Sequence, residues 1–215
     1  MFESKEELRV THLFEKRFPT IAKEMIATAV QTGCVICQNV MSDSSAMGIP
    51  KSKMFTQACS LGFIINTVLT KAIDDSNMPT MTYEETTVGH GRPVVHYLVD
   101  GFRLHIKKNR NAHTLPKCSQ FRIEETSANR QLSLGFEEAV QKPMNLIVTF
   151  NQKSFRLRYV QIGIADYDYR GWLHRWDLMN YIQPERVEVM RNEYGPAIRE
   201  NFEHIAKTYR LEMRN

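Results

Sequence analysis

The amino-acid sequence predicts an α+β fold: N-terminal helices, an antiparallel meander sheet of about five strands, and C-terminal helices. Three observations predict it. Between Glu6 and Ala29 apolar residues recur at helical spacing, at Leu8, Leu13, Phe14, Phe18, Ile21, Ala22, Met25, Ile26 and Ala29. From Met81 onward the pattern changes to short β-branched and aromatic runs bounded by turn residues. Those runs follow one another through short connections, which suit antiparallel neighbours and not crossover-linked parallel ones.

Each element has a local cause. Pro19 removes a backbone donor and divides the first amphipathic stretch into two helices. Ser42 to Pro50, SDSSAMGIP, has the composition of a loop. Ser52 is placed to cap a helix running to about Ile73, which Asp74, Asp75, Ser76, Asn77 and Pro79 end. The apolar window Ala58 to Ile73 within it is too short to cross a bilayer, and Asn66 and Lys71 interrupt it.

Thr82 to Val88 reads as a strand, with Gly89, Gly91 and Pro93 turning the chain. Val94 to Val99 and Phe102 to Lys107 then flank Asp100-Gly101, a dipeptide that tolerates the two positive φ angles of a type I′ hairpin turn. Asn109 to Ser127 lacks periodicity and reads as a long loop, with one short strand at Gln120 to Ile123. Leu146 to Phe150, Phe155 to Ile164 and Trp172 to Leu178 complete the sheet. Trp172 and Trp176, an even number apart, are expected on one face of the last strand. Pro184 suits the first turn of a helix, Gly195-Pro196 is expected to interrupt it, and Ala197 to Leu211 resumes it. The change of character divides the chain into a helical region at 1–78 and a sheet domain with C-terminal helices at 79–215. The sequence leaves open whether these are two units or one.

Composition narrows the function classes. A chain of 215 residues, 42% hydrophobic and 24% charged, can bury a core without disulfide staples. A net charge of +4 permits nucleic-acid binding without requiring it. The start MFESKEELRV is acidic where a secretory signal is cationic and then apolar, so the expected location is cytoplasmic, with no membrane partner. Cys34 and Cys37 have CxxC spacing, but Cys59 and Cys118 are isolated, so no zinc cage is spelled out. A redox motif belongs at a strand-to-helix junction. This one falls late in a helix, where buried thiols act as small hydrophobes.

The residues with most chemical content lie between Arg103 and Arg130. Arg103, His105, Lys107, Lys108, Arg110, Lys117, Arg122 and Arg130 form a candidate ligand-binding set, with Phe102 and Phe121 among them and only Glu124 and Glu125 as acids. Cations neutralise phosphates and nearby rings stack on bases, so the set fits nucleic acid or another phosphate-rich ligand. The alternation Arg103, His105, Lys107 puts those three on one face of a strand. The competing explanation is a solvated strand face leading into a basic loop.

A metal-dependent nuclease is the enzymatic alternative, and the only reading that calls for a divalent metal as cofactor. It would gather Asp100 with Glu84 or Glu85 beside Lys107. Against it, Asp100 is explained by its turn, and His105 stands where an acid would be wanted. His90, His96 and His105 could converge across adjacent strands, but HExxH and zinc-cage spacings are missing. GxSxG, GxxxxGK[ST] and GxGxxG are missing too.

The order FRLHIKKNR, ANRQLSLGF, MNLIVTFNQKSFRLRYVQIGIAD resembles a loosely defined family of uncharacterised bacterial proteins. These are encoded beside Xre-type helix-turn-helix regulators, in toxin–antitoxin-like or phage-related modules. The resemblance spans Val94 to Leu178 and rests on short motifs: paired cations at Lys107-Lys108, the Arg130 to Phe136 stretch, and two following strands. It implies a small cytosolic effector or accessory protein, partnered by a helix-turn-helix regulator and acting on nucleic acid or nucleotides. Arg130 to Phe136 would be an anchor between loop and sheet. No catalytic residue carries over. Three functions therefore stand at this point: an interaction or effector protein, a nuclease or nucleotide-processing toxin, and a ligand-free structural subunit. The oligomeric state is left open.

Overall fold

Pro19 does divide the N-terminal helical stretch: helix α1 spans Lys5–Arg17 and α2 spans Thr20–Ala46. The computed structural model of the chain describes residues 5–46, 61–76, 79–88, 92–117, 120–133, 143–153, 156–166 and 168–212. Helix α2 runs on through 42–46, where composition predicted a loop, while 47–50 and Ser52 lie outside the described residues. Helix α3, Leu61–Ser76, buries Leu61, Ile64, Ile65, Val68, Leu69, Ala72 and Ile73, a stripe at three- and four-residue spacing that packs on α2.

The fold is α+β, and its sheet has six strands in chain order: β1 Met81–Val88, β2 Arg92–Val99, β3 Phe102–Lys108, β4 Met144–Lys153, β5 Arg156–Ala165 and β6 Trp172–Asp177. Four of the five pairings are antiparallel, as expected for a meander. The fifth is not: β3 and β4 run parallel, from Phe102 opposite Met144 to Lys108 opposite Phe150. A parallel pair needs a crossover, and helix α4, Gln120–Ser133, supplies it. The segment predicted as a loop with a short strand at Gln120 to Ile123 is therefore helical from Gln120.

Residues 109–117 ahead of α4 are held against the sheet by side chains that donate to their carbonyls. Tyr159 Oη donates to Asn109 O and Asn151 Nδ2 to Arg110 O, each at 2.8 Å. Gln161 Nε2 at 2.8 Å and Arg175 Nη1 at 2.6 Å share Ala112 O.

Two further expectations are corrected. The β5–β6 register shifts between Ile164 and Ala165, so that Ala165 faces Trp172 while Ile164 faces His174. This one-residue bulge at Leu173 puts the two tryptophans on opposite faces. Trp176 stacks on Phe14 of α1 with ring centroids 3.8 Å apart. Trp172 lies on the other face over Gly163, where a Cβ would run into the indole. Helix α5, Pro184–Glu212, begins at its first-turn proline but continues through Gly195-Pro196. Pro196 costs a helical hydrogen bond there. Burial of Met190, Tyr194 and Ile198 on either side holds the segment against α2 and α3.

One hydrophobic core joins α1, α2, α3, α5 and a single face of the sheet. From β3 it takes Phe102, Leu104 and Ile106. The boundary at 78/79 is thus a change of secondary structure within one packed interior. Helix α4 stands on the opposite face of the sheet, over the odd-numbered residues of β3.

Candidate functional site

The hairpin turn that introduces β3 has the predicted geometry, with φ of 38° at Asp100 and 82° at Gly101. Strands β2 and β3 pair only close to it, through Val99–Phe102, Leu98–Arg103 and Tyr97–Leu104. Beyond Tyr97 they part, and α3 lies beside the gap. The result is a cleft of about 770 Å³ bordered by Phe63 of α3, Glu85 of β1, Val94 of β2, and His105, Lys107 and Lys108 of β3.

Arg103, His105 and Lys107 do share a face, as strand alternation requires. That face is roofed by α4, and His105 is only 3% exposed. Across the parting strands His96 of β2 is fully buried, and Glu125 of α4 reaches down to both imidazoles. Glu125 Oε1 lies 2.8 Å from His96 Nε2, and Oε2 lies 3.3 Å from His105 Nδ1.

Residues 121, 125 and 129 fall on one stripe of α4 because they are four apart. Phe121 packs against both imidazoles, with ring centroids 5.7 Å from His96 and 6.3 Å from His105. Asn129 locks the helix to the sheet as a strand would. Its Nδ2 donates to Asn145 O at 2.9 Å, and its Oδ1 accepts from Asn145 N at 2.8 Å. Asn145 Nδ2 in turn donates to the Glu125 carbonyl at 2.8 Å.

The outer nitrogen of His96 fixes its tautomer. Arg103 Nη2 is 3.3 Å from Nδ1 and the Thr86 hydroxyl is 3.1 Å away. A guanidinium can only donate. Nδ1 is therefore the acceptor, and Nε2–H is donated to Glu125. Arg103 is itself held by Glu84 at 2.7 Å.

His105 is held well below the usual imidazole range, by burial first and then by Lys107, Arg122, His96 and Arg103, so it is neutral at pH 7. Its Nε2 is buried with no hydrogen-bond partner, as is Glu125 Oε2. Burial and Arg122 also lower Lys107, against the pull of Glu125. A carboxylate with two imidazoles is a donor set that can hold a transition metal or pass a proton.

The remaining predicted residues fall into three groups. Lys108, Arg110 and Lys117 are exposed, with Lys108 at the cleft. Arg122 is turned back on the chain, its guanidinium donating to the Lys117 carbonyl. Arg130 stands in α4 and its side chain, like Leu134 to Phe136, His90, Cys59 and Cys118, lies outside the described residues.

The three carboxylates Asp100, Glu84 and Glu85 are not brought together. Asp100 pairs with Arg17 of α1 at 3.1 Å beside the turn. Glu84 and Glu85, adjacent on β1, point to opposite faces. Cys34 and Cys37 are buried in α2. Burial is the main cause that pushes their thiols up, to about 12 and about 11.

The sequence offers His90, His96 and His105 as a trio that could converge, but without a metal-site spacing it favours separate surface or core roles; His96 and His105 do meet, at Glu125, and His90 lies outside the described residues. Sequence reasoning missed Glu125 as the group between the two histidines, because the segment carrying it was read as a loop. No family model, curated protein or solved structure matches the chain, so the reading of this site rests on its own geometry.

Proposed function

We propose that the protein binds a phosphate-bearing ligand of nucleotide size in the cleft between β2 and β3. The observation that carries this reading is Lys107. Its ammonium is partly buried at the cleft with no carboxylate in ion-pair range among the described residues. Even half-buried, a cation that feels Glu125 only from beyond ion-pair range is stabilised when something anionic joins it. Lys108 adds a second cation at the same opening. A volume of about 770 Å³ is within the range of small-molecule sites.

In the wider reading the protein is an interaction or effector component of a bacterial regulatory, toxin–antitoxin-like or phage-defence module, located in the cytoplasm beside a helix-turn-helix regulator. That setting is supported by the resemblance over Val94 to Leu178 alone. Among the described residues no helix is long and apolar enough to cross a membrane. The separation of Asp100, Glu84 and Glu85 weighs against a nuclease built on those carboxylates.

The test is calorimetric titration of the full chain with nucleoside mono-, di- and triphosphates and with a short oligonucleotide, at low and moderate salt. We expect a nucleotide to bind, with affinity falling as salt rises. Lys107→Met should weaken binding about tenfold, equivalent to about 1.4 kcal/mol. Equal binding by wild type and a Lys107→Met, Lys108→Ala variant would overturn the reading, and so would a chain that binds none of the panel.

A further inference from the structure

We propose that His96, His105 and Glu125 form a binding site for one divalent transition-metal ion. The three side chains come from three elements, β2, β3 and α4, and one potential ligand atom from each lies within 4.8 Å of the others. Contacts of 2.8 Å and 3.3 Å between the carboxylate and the two imidazole nitrogens are close to the spacing of neighbouring donors around a metal. Bonds of about 2.0–2.2 Å at ordinary coordination angles place such donors about 3.0–3.5 Å apart. All three residues are buried, which keeps competing water away.

A second observation concerns hydrogen bonding. Glu125 Oε2 and His105 Nε2 are buried polar atoms with no hydrogen-bond partner. Such atoms are rare in native proteins and call for a function or a ligand. A metal drawn between the carboxylate and the imidazoles satisfies the oxygen directly. His105 also borders the cleft, so a further coordination position is accessible from that side.

The ligands themselves select the ion. Two imidazoles favour zinc, iron(II), cobalt(II) or nickel(II) over magnesium and calcium, which prefer all-oxygen shells. Binding through His96 Nε2 displaces its proton to Nδ1, where the Thr86 hydroxyl, 3.1 Å away, accepts it. Arg103 then turns from Nδ1 to Glu84 alone, which it already holds at 2.7 Å. Thr86 is thus the outer partner that orients the histidine. Arg103, Arg122 and Lys107 surround the site with positive charge, so the donors and not the field must supply the affinity.

The test uses the full chain stripped with a chelator, titrated with zinc and with cobalt(II). The readouts are metal per chain after gel filtration, the visible spectrum of the cobalt form, and the unfolding midpoint. We expect one ion per chain, a cobalt spectrum of histidine–carboxylate ligation and a raised midpoint. His96→Ala and His105→Ala should abolish all three. Glu125→Gln, which keeps the shape of the side chain, should weaken binding about tenfold or more, and Thr86→Val should do so to a smaller extent. His12→Ala, at an exposed site on α1, should bind like wild type.

Circular dichroism of each metal-stripped variant separates loss of the site from loss of the fold. If both alanine variants unfold, Glu125→Gln and Thr86→Val decide the matter. Failure of the wild type to retain zinc or cobalt would overturn the proposal. Retention undiminished in Glu125→Gln and in the folded histidine variants would overturn it as well, placing the ion elsewhere. Neither result bears on nucleotide binding through Lys107, which is measured separately.

Discussion

Phe102, Leu104 and Ile106, and between them Arg103, His105 and Lys107, stand on one strand and meet opposite surroundings. The first three enter the common core, where Phe102 lies edge-on to Phe14 at 5.8 Å and to Phe18 at 5.5 Å. The second three lie under α4, which covers them with a ring, a carboxylate and an amide in place of an aliphatic stripe. A buried ionic group seldom stabilises a fold more than a well-packed apolar group of the same volume. Orphaned polar atoms cost about 1–3 kcal/mol each. The apolar face is accounted for by stability, with the indole nitrogen of Trp176 its one buried side-chain polar atom lacking a hydrogen bond among the described residues. The polar face is not, since it retains His105 Nε2 and Glu125 Oε2 without a hydrogen bond. That contrast is the physical reason for looking for ligands on the α4 side.

The largest expected effect breaks the apolar face. Phe102→Ala should lower the free energy of unfolding by about 3–5 kcal/mol, read from urea denaturation, because the ring leaves a cavity among Phe14 and Phe18. Glu125→Gln, on the polar face, should cost about 1–3 kcal/mol through the weakened contacts to the two histidines. If Glu125→Gln matched the loss at Phe102, the carboxylate would be a structural keystone and the contrast between the faces would fail.

The apolar side also makes a chemical prediction. Cys34 and Cys37 belong to the common core, and with thiols raised to about 12 and about 11 they carry almost no thiolate at neutral pH. At pH 8 the ionised fractions are on the order of 10⁻⁴ and 10⁻³, which follows from the definition of a pKa. Iodoacetamide should leave the peptide holding both cysteines unmodified in the native protein and alkylate it in urea. Raising the pH to 9 should change little while the fold holds. Rapid native alkylation at pH 8 would show that this part of α2 opens to solvent.

How much of this was legible in the sequence depended on whether a feature was local. Pro19 and Asp100-Gly101 act on their own backbone, and both breaks fall where expected. The alternation of Arg103, His105 and Lys107 is equally local, so their shared face could be read. The parallel β3–β4 pairing could not, because it depends on α4, and α4 hides its signal. Its inward stripe is Phe121, Glu125 and Asn129, two polar residues in three, so no amphipathic pattern marks it. The Trp172 and Trp176 pair failed for another reason. A single extra residue at Leu173 reverses the face, and alternation counts assume there is none. The site was half legible on the same grounds: two histidines on neighbouring strands, without the acid that a hidden helix brings to them.

The smallest expected effect sharpens the comparison at the end of β3 that belongs to neither face. Asp100 sits at a positive φ of 38°, and its carboxylate meets Arg17 at 3.1 Å, with both side chains about half exposed. Asparagine tolerates that backbone as well as aspartate does. Asp100→Asn therefore removes only an exposed ion pair, a loss of about 0.2–1 kcal/mol that salt should diminish. Asp100→Ala loses the same pair and also forces an alanine into the left-handed region, at a further cost of about 1–2 kcal/mol. Thermal unfolding of the two variants should rank them wild type, Asn, Ala, with the larger step between Asn and Ala. If Asn fell as far as Ala, the carboxylate would matter more than the turn. If Asn also lost nucleotide or metal binding, Asp100 would have to be returned to the chemistry. With the turn kept and both bindings intact, the aspartate is explained by its backbone and its arginine, and the chemistry stays with the residues beneath α4.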